Sequence, residues 1–179
     1  MVLTPFAWIL GGGVLVWGFA TFLHTADPLA FAYSFTGLGA LTWLGACLLF
    51  GLLARFGFRK LFPLRRSFGL LAFWYSLLHA SVFFGLDVEG RWELAIEAFW
   101  EKPFLLLGLL GFFILCGMAI TSFRALQPRF FLWHQGLYLA LILILGHVVL
   151  AQKTLGLFAY MLAAVVLLVF AGRLRARRR

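Results

Sequence analysis

Acidic residues are scarce in this sequence. There are six against 15 basic ones, and none lies inside a long apolar run. A carboxylate-bridged metal centre or an intramembrane carboxylate relay is therefore not supplied. Cysteine is nearly absent too. Cys47 and Cys116 stand alone inside apolar runs, with no C-x-x-C and no C-x-x-C-H. This excludes covalent heme attachment and a cysteine-built zinc site, and leaves two small buried hydrophobes. No G-x-G-x-x-G follows a strand pattern, so no nucleotide-binding fold is expected. Ser122 has no base beside it, so no hydrolytic constellation is expected either.

What is abundant is apolar. Hydrophobic residues make up 64% of 179, and the mean hydropathy is +1.03. A soluble domain of this size could not hide so much apolar surface. Runs long enough to cross about 30 Å of hydrocarbon lie near 5–23, 37–54, 67–86, 104–122, 131–150 and 155–172. The expected fold is all-α: one integral-membrane domain, a six-helix transmembrane bundle with short linkers. Thr36 before Gly37 is expected to cap the second helix, and Pro103 to open the fourth. No Lys or Arg precedes the first run, so a cleaved signal peptide is not expected.

Charge gives the orientation. Arg55, Arg59, Lys60, Arg65, Arg66, Arg124, Arg129, Arg173, Arg175, Arg177, Arg178 and Arg179 fall on one side, which is 12 of the 15 basic residues. The other side holds all six acids: Asp27, Asp87, Glu89, Glu93, Glu97 and Glu101. By the positive-inside rule both termini are cytoplasmic. Charges clustered between apolar runs anchor a chain in lipid. They do not make a basic stripe, so nucleic acid is not an expected partner.

Four histidines remain. His24 ends the first run beside Asp27 and should meet water. His79, His134 and His147 fall inside runs. His134 starts the fifth span near the cytoplasm, and His147 lies 13 residues later, about 20 Å along a helix. His79 lies well past the inner arginines. His79 and His147 should therefore share a depth in the outer half, on different helices. Intramembrane ionisable groups are functional suspects by default, although a hydrogen-bonded structural role is the ordinary alternative for one alone. Neutral imidazole is a good axial ligand for iron. Two imidazoles at one depth, without cysteine or carboxylate, predict a bis-histidine b-type heme. His134 and His147 point about 140° apart on an ideal helix, so both can face one interior only if the helix bends, as Gly146 could allow, or if two hemes are approached at different angles. His134 is expected to hold or support a second heme near the cytoplasm. The ligand opposite it could be water, another side chain or nothing. Arg65, 14 residues before His79, lies about 40° from the same face. It suits a heme propionate or another anionic cofactor.

The ordered fragments Asp27-Pro28, Phe35-Thr36-Gly37, Leu53-Ala54-Arg55, Arg65-Arg66, Gly69-Leu70, Leu78-His79, Lys102-Pro103-Phe104, Thr121-Ser122, Arg129, His134, Tyr138 and His147 carry a resemblance. From about Asp27 to Gln152 the chain resembles the MsrQ (YedZ-type) family of heme-binding membrane subunits, in the ferric-reductase-like transmembrane group. The resemblance implies a b-type heme protein of the bacterial inner membrane that passes electrons outward. It implies His79, His134 and His147 as iron ligands, Arg65 and Arg66 as the family's paired arginines, and an associated FMN. It also implies a partner: a periplasmic, molybdenum-cofactor methionine sulfoxide reductase of the MsrP type, which repairs oxidised proteins.

The functional expectation is therefore an electron conduit, with the catalytic reduction on the separate partner. Electrons would arrive from the quinone pool or from a cytoplasmic flavin reductase. A self-contained ferric or quinone reductase of the same heme group is the nearest alternative. A transporter or assembly factor with structural histidines is the non-redox one. In the longest outer linker, 87–103, Glu93, Glu97 and Glu101 recur every four residues. A helix there would align them as a docking face, with Trp92, Ile96, Phe99 and Trp100 resting at the lipid interface.

Overall fold

Asp27 and Pro28 decide where the longest helix begins. In the computed structural model, Asp27 Oδ1 accepts a hydrogen bond from the Ala30 N–H at 3.0 Å, and Pro28 occupies the first turn, where its missing N–H costs nothing. Residues 3–122 and 136–151 are described, together with the single positions 160, 164, 167, 168 and 171. Among them are six α-helices: α1 (Leu3–Phe22), α2 (Pro28–Arg55), α3 (Phe62–Ser81), α4 (Trp92–Glu101), α5 (Pro103–Thr121) and α6 (Gly136–Ala151). No strand occurs among the described residues. Four helical stretches are long and apolar enough to cross a membrane: Thr4–Phe22, Pro28–Arg55, Arg59–Asp87 and Pro103–Thr121. Gly136–Ala151 is the described part of the expected fifth span, and most of the sixth, 155–172, lies outside the described residues.

One expectation is corrected. Thr36 does not cap the second helix but sits inside it, nine residues after the Asp27 cap. The Asp-Pro pair is the stronger start signal, and the apolar stretch that follows it favours helix throughout. Pro103 does open its helix, at the first position of α5.

The chain forms two units, Met1–Arg91 and Trp92–Arg179. In the first, small residues let helices approach closely, as lipid-embedded packing favours. A side chain at Gly18 would run into the Phe35 ring, and one at Gly39 into Tyr75. Tyr75 is fully buried, and its hydroxyl donates to the Gly11 carbonyl at 3.0 Å. Trp43 stacks on Phe68 at 5.6 Å, and Phe68 on Phe50 at 5.1 Å. Outward-facing α1 residues such as Ile9 and Val16 are more than 70% exposed, as a lipid-facing surface would be. In the second unit, α5 and α6 pack through Gly111 against Ile144, Gly136 against Ile114 and Gly146 against Leu107.

The end of α3 matters for the site. After Ser81 the helix widens into a π-helix, Val82–Asp87. Such segments are rare and recur at functional sites. Here it carries Asp87 to a position where Tyr33 Oη donates to its Oδ2 at 2.7 Å. A tight turn follows, with Glu89 at φ 52° and Gly90 at φ 73°.

Candidate functional site

His79 lies near the end of α3 and faces α2. Its Nδ1 is 3.1 Å from Thr36 Oγ1. The same hydroxyl lies 2.6 Å from the Ala32 carbonyl, one helical turn back. A hydroxyl has one proton, and the short contact to the carbonyl commits it there. Oγ1 must then accept from His79, so Nδ1 carries the ring proton. Gly37 makes room beside it: a Cβ there would stand 3.1 Å from His79 Cε1 and 3.3 Å from Nδ1. The Tyr33 ring meets His79 edge-on, with centroids 5.6 Å apart and planes at 72°. The imidazole is thus held by consecutive turns of α2.

His147, on α6, is held in the same manner by α5. Its Nδ1 is 2.7 Å from the carbonyl oxygen of Phe104, in the first turn of α5. A carbonyl only accepts, so this Nδ1 also carries the proton. The Phe104 ring lies at 5.7 Å and 55° to the imidazole. Gly108, one turn further along α5, leaves the space that the ring fills. A Cβ at 108 would lie 2.6 Å from His147 Nδ1 and 2.9 Å from Cε1. The two histidines belong to different units, and each packs on a glycine of the preceding long helix.

The chemistry follows from the tautomer. With Nδ1 protonated and engaged, Nε2 is the nitrogen that carries a lone pair. An imidazole whose other ring N–H is anchored is the usual form of a metal-ligating histidine, because the anchor fixes orientation and raises basicity. Both side chains are half-buried, neither sealed in a core nor bathed in water. Among the described residues no group of three or more His, Cys, Asp or Glu is gathered as a metal cage. An imidazole anchored in this way, taken by itself, suits a group that brings its own equatorial ligands and needs only axial nitrogen, such as a porphyrin.

The other expected residues are distributed unevenly. His134 lies outside the described residues. His24 is exposed. Arg65 is half-buried along α2, its Cδ and Nε 3.2 and 3.3 Å from where a Gly51 Cβ would stand, while Arg66 is exposed. The pair therefore divides, and only Arg65 turns inward. Cys47 is buried and Cys116 half-buried; both thiols are free. Glu93, Glu97 and Glu101 are all exposed on α4, and Ala95 on that helix is buried. Trp92, Ile96 and Trp100 are exposed as well. The helix expected on this linker is present as α4.

Sequence reasoning missed Thr36, Gly37, Phe104 and Gly108 as the histidines' supports. A signal existed. Phe35-Thr36-Gly37 and Lys102-Pro103-Phe104 were among the fragments that carried the resemblance, with no role beyond helix starts. Thr36 and Phe104 each stand 43 residues before the histidine they hold.

The family described as ferric reductase like transmembrane component matches residues 36–145. A protein-methionine-sulfoxide reductase heme-binding subunit MsrQ from Agrobacterium fabrum is 36% identical over 110 residues, covering 58% of this chain and 51% of that protein. The MsrQ of Xanthomonas oryzae pv. oryzae is 30% identical over 115 residues, covering 64% and 53%. That of Brucella ovis is 30% identical over 166 residues, covering 89% and 76%. The chain thus spans about half the length of the first two relatives and about three quarters of the third. A matched segment that takes in Thr36, Gly37, His79, Phe104 and Gly108, on long apolar helices, leads to one assignment: the chain is a multi-pass membrane protein that belongs to the ferric-reductase-like transmembrane family, on its MsrQ-type branch.

Proposed function

We propose that this chain is a b-type heme electron-transfer subunit. It passes electrons across the bacterial inner membrane to a periplasmic methionine sulfoxide reductase. The observation that carries the proposal is that His79 and His147, each within its own unit, have Nδ1 anchored, which supports Nε2 as the ligand nitrogen. Heme, when bound, supplies reversible one-electron exchange at iron. The protein's own residues do the rest. His79 and His147 would each supply an imidazole nitrogen to heme iron, Gly37 and Gly108 leave room for their rings, and the aromatic and aliphatic helix faces would exclude water. The number of hemes is one or two, the second with His134. The related proteins are named as heme-binding subunits of the protein-methionine-sulfoxide reductase, which supports the same reading.

The charge asymmetry supports cytoplasmic termini and, with them, an outer-half depth for His79 and His147. Electrons then enter from quinol or from a cytoplasmic flavin reductase. FMN is a second cofactor of this reading. Arg65, half-buried along α2, is the proposed partner of a heme propionate or flavin phosphate, since its planar fork grips such an anion in bidentate fashion. Arg66 completes the anionic site or anchors the chain at the inner surface. Arg65→Lys keeps the charge and loses the fork. It is expected to slow electron transfer about tenfold. A normal rate would leave Arg65 only an anchoring role.

The acceptor is proposed to be a soluble molybdenum-cofactor reductase of the MsrP type, docking on the acidic face of α4. Glu93, Glu97 and Glu101 are exposed at helical spacing, and redox encounters are small, transient and steered by charge. Membranes containing the protein should reduce that enzyme from quinol or reduced flavin. Replacing the three glutamates with lysine should slow transfer about tenfold or more at low salt and invert its ionic-strength dependence, with heme content unchanged. If the rate at low salt is untouched, the dock lies elsewhere.

A further inference from the structure

The two anchors differ in kind. His147 is held by a main-chain carbonyl that no substitution removes, whereas His79 is held by the Thr36 side chain. We infer that Thr36 is a positioning residue that acts through His79 and sets the reduction potential of the iron that this histidine binds. The inference rests on the reading of His79 as a heme ligand.

The geometry is a three-part chain. His79 Nδ1–H points to Thr36 Oγ1 at 3.1 Å, and Thr36 Oγ1–H points to the Ala32 carbonyl at 2.6 Å. Linked hydrogen bonds polarise one another, and the effect is larger where water is scarce. Thr36 is 7% exposed, so water does not readily replace it. A hydroxyl whose proton is drawn toward a carbonyl is a better acceptor. It withdraws the Nδ1 proton and gives the imidazole partial anionic character, which strengthens donation from Nε2. Stronger donation favours ferric over ferrous iron and lowers the potential. The electron is thereby held less tightly at this iron and leaves more readily for an acceptor.

The helix gives the hydroxyl its fixed direction. Thr is stiff at χ1, and in a helix its Oγ1 reaches the carbonyl one turn back. Gly37, the next residue, has no side chain to press on the imidazole: a Cβ there would stand 3.1 Å from Cε1. Tyr33, one turn earlier, rests its ring edge on His79 and ties its own hydroxyl to Asp87 at 2.7 Å. The ring therefore cannot swing from Thr36 without breaking these packing contacts.

The test is a redox titration of the purified, heme-loaded protein, read by absorbance, beside the ferric electron paramagnetic resonance spectrum. Thr36→Val keeps the shape and removes the acceptor. It should raise the midpoint potential and shift the low-spin resonance toward weaker imidazole donation. Thr36→Ser restores the hydroxyl and should return both to the parent values. Should Thr36→Val accumulate without heme, Thr36→Ser is compared with Thr36→Ala, which differ by the hydroxyl alone. A potential unchanged in Val, or equally changed in Val and Ser, overturns the inference. His79→Ala is measured in the same series. If it keeps the parental spectrum, the ligand reading itself has failed. If it loses that spectrum while the hydroxyl-lacking variants keep their potential, only the role of Thr36 has.

Discussion

Replacing either His79 or His147 with alanine is expected to remove most of the heme absorbance of the purified protein. The loss should be total for the low-spin component. Each imidazole has Nδ1 engaged, by Thr36 in one case and by the Phe104 carbonyl in the other, and Nε2 is the nitrogen proposed to bind iron. Alanine leaves no donor there and opens a half-buried space where the ring stood. Neither Cys47 nor Cys116 bears a C-x-x-C-H signature that would hold heme covalently, so occupancy depends on axial bonding and packing. Exogenous imidazole should enter the opened space and restore part of the low-spin spectrum, because it returns the missing nitrogen. His24→Ala, at an exposed position, should leave the spectrum unchanged. Retention of the parental low-spin spectrum in both ligand variants would exclude the assignment.

Gly108→Ala should be nearly as damaging, although it adds only one methyl group. That methyl would lie 2.6 Å from His147 Nδ1, closer than carbon and nitrogen approach without a bond. The imidazole must move off the Phe104 carbonyl or the helices must part. Overpacking of this kind costs about 1–3 kcal/mol, and loss of the ligand's anchor costs about 10–100-fold in metal affinity. Heme occupancy per protein should fall accordingly, with a high-spin fraction appearing in the residue. Gly37→Ala is the graded comparison. Its methyl would meet His79 at 3.1 Å, a distance that a small tilt of the ring can relieve. Occupancy should therefore fall less in Gly37→Ala than in Gly108→Ala. Equal and negligible effects of both would show that the rings do not depend on these glycines.

The spans were legible because length and hydropathy are one-dimensional properties. Every described long helix overlaps a run read from the sequence. The histidines were legible because a titratable group inside an apolar run stands out against its neighbours. The helix on 92–101 was legible from the four-residue spacing of its glutamates. Thr36 was misread for a physical reason. A threonine before a glycine resembles a cap, and nothing local says that Asp27-Pro28 has already begun the helix nine residues earlier. Its contact with His79 spans 43 residues, beyond any local pattern. The same holds for Gly108, whose missing side chain matters only because His147 arrives from another helix. Arg65 and Arg66 read as a pair, but neighbours on a helix diverge by about 100°, and only Arg65 turns inward.

The central claim is that the Nε2 atoms of His79 and His147 bind heme iron. The most direct measurement is the electron paramagnetic resonance spectrum of the purified ferric protein, recorded with its heme-to-protein ratio. The account predicts at least one heme per chain, with a low-spin ferric signal from two nitrogenous axial ligands. Protein that is folded but colourless, or that holds only high-spin iron, would contradict it.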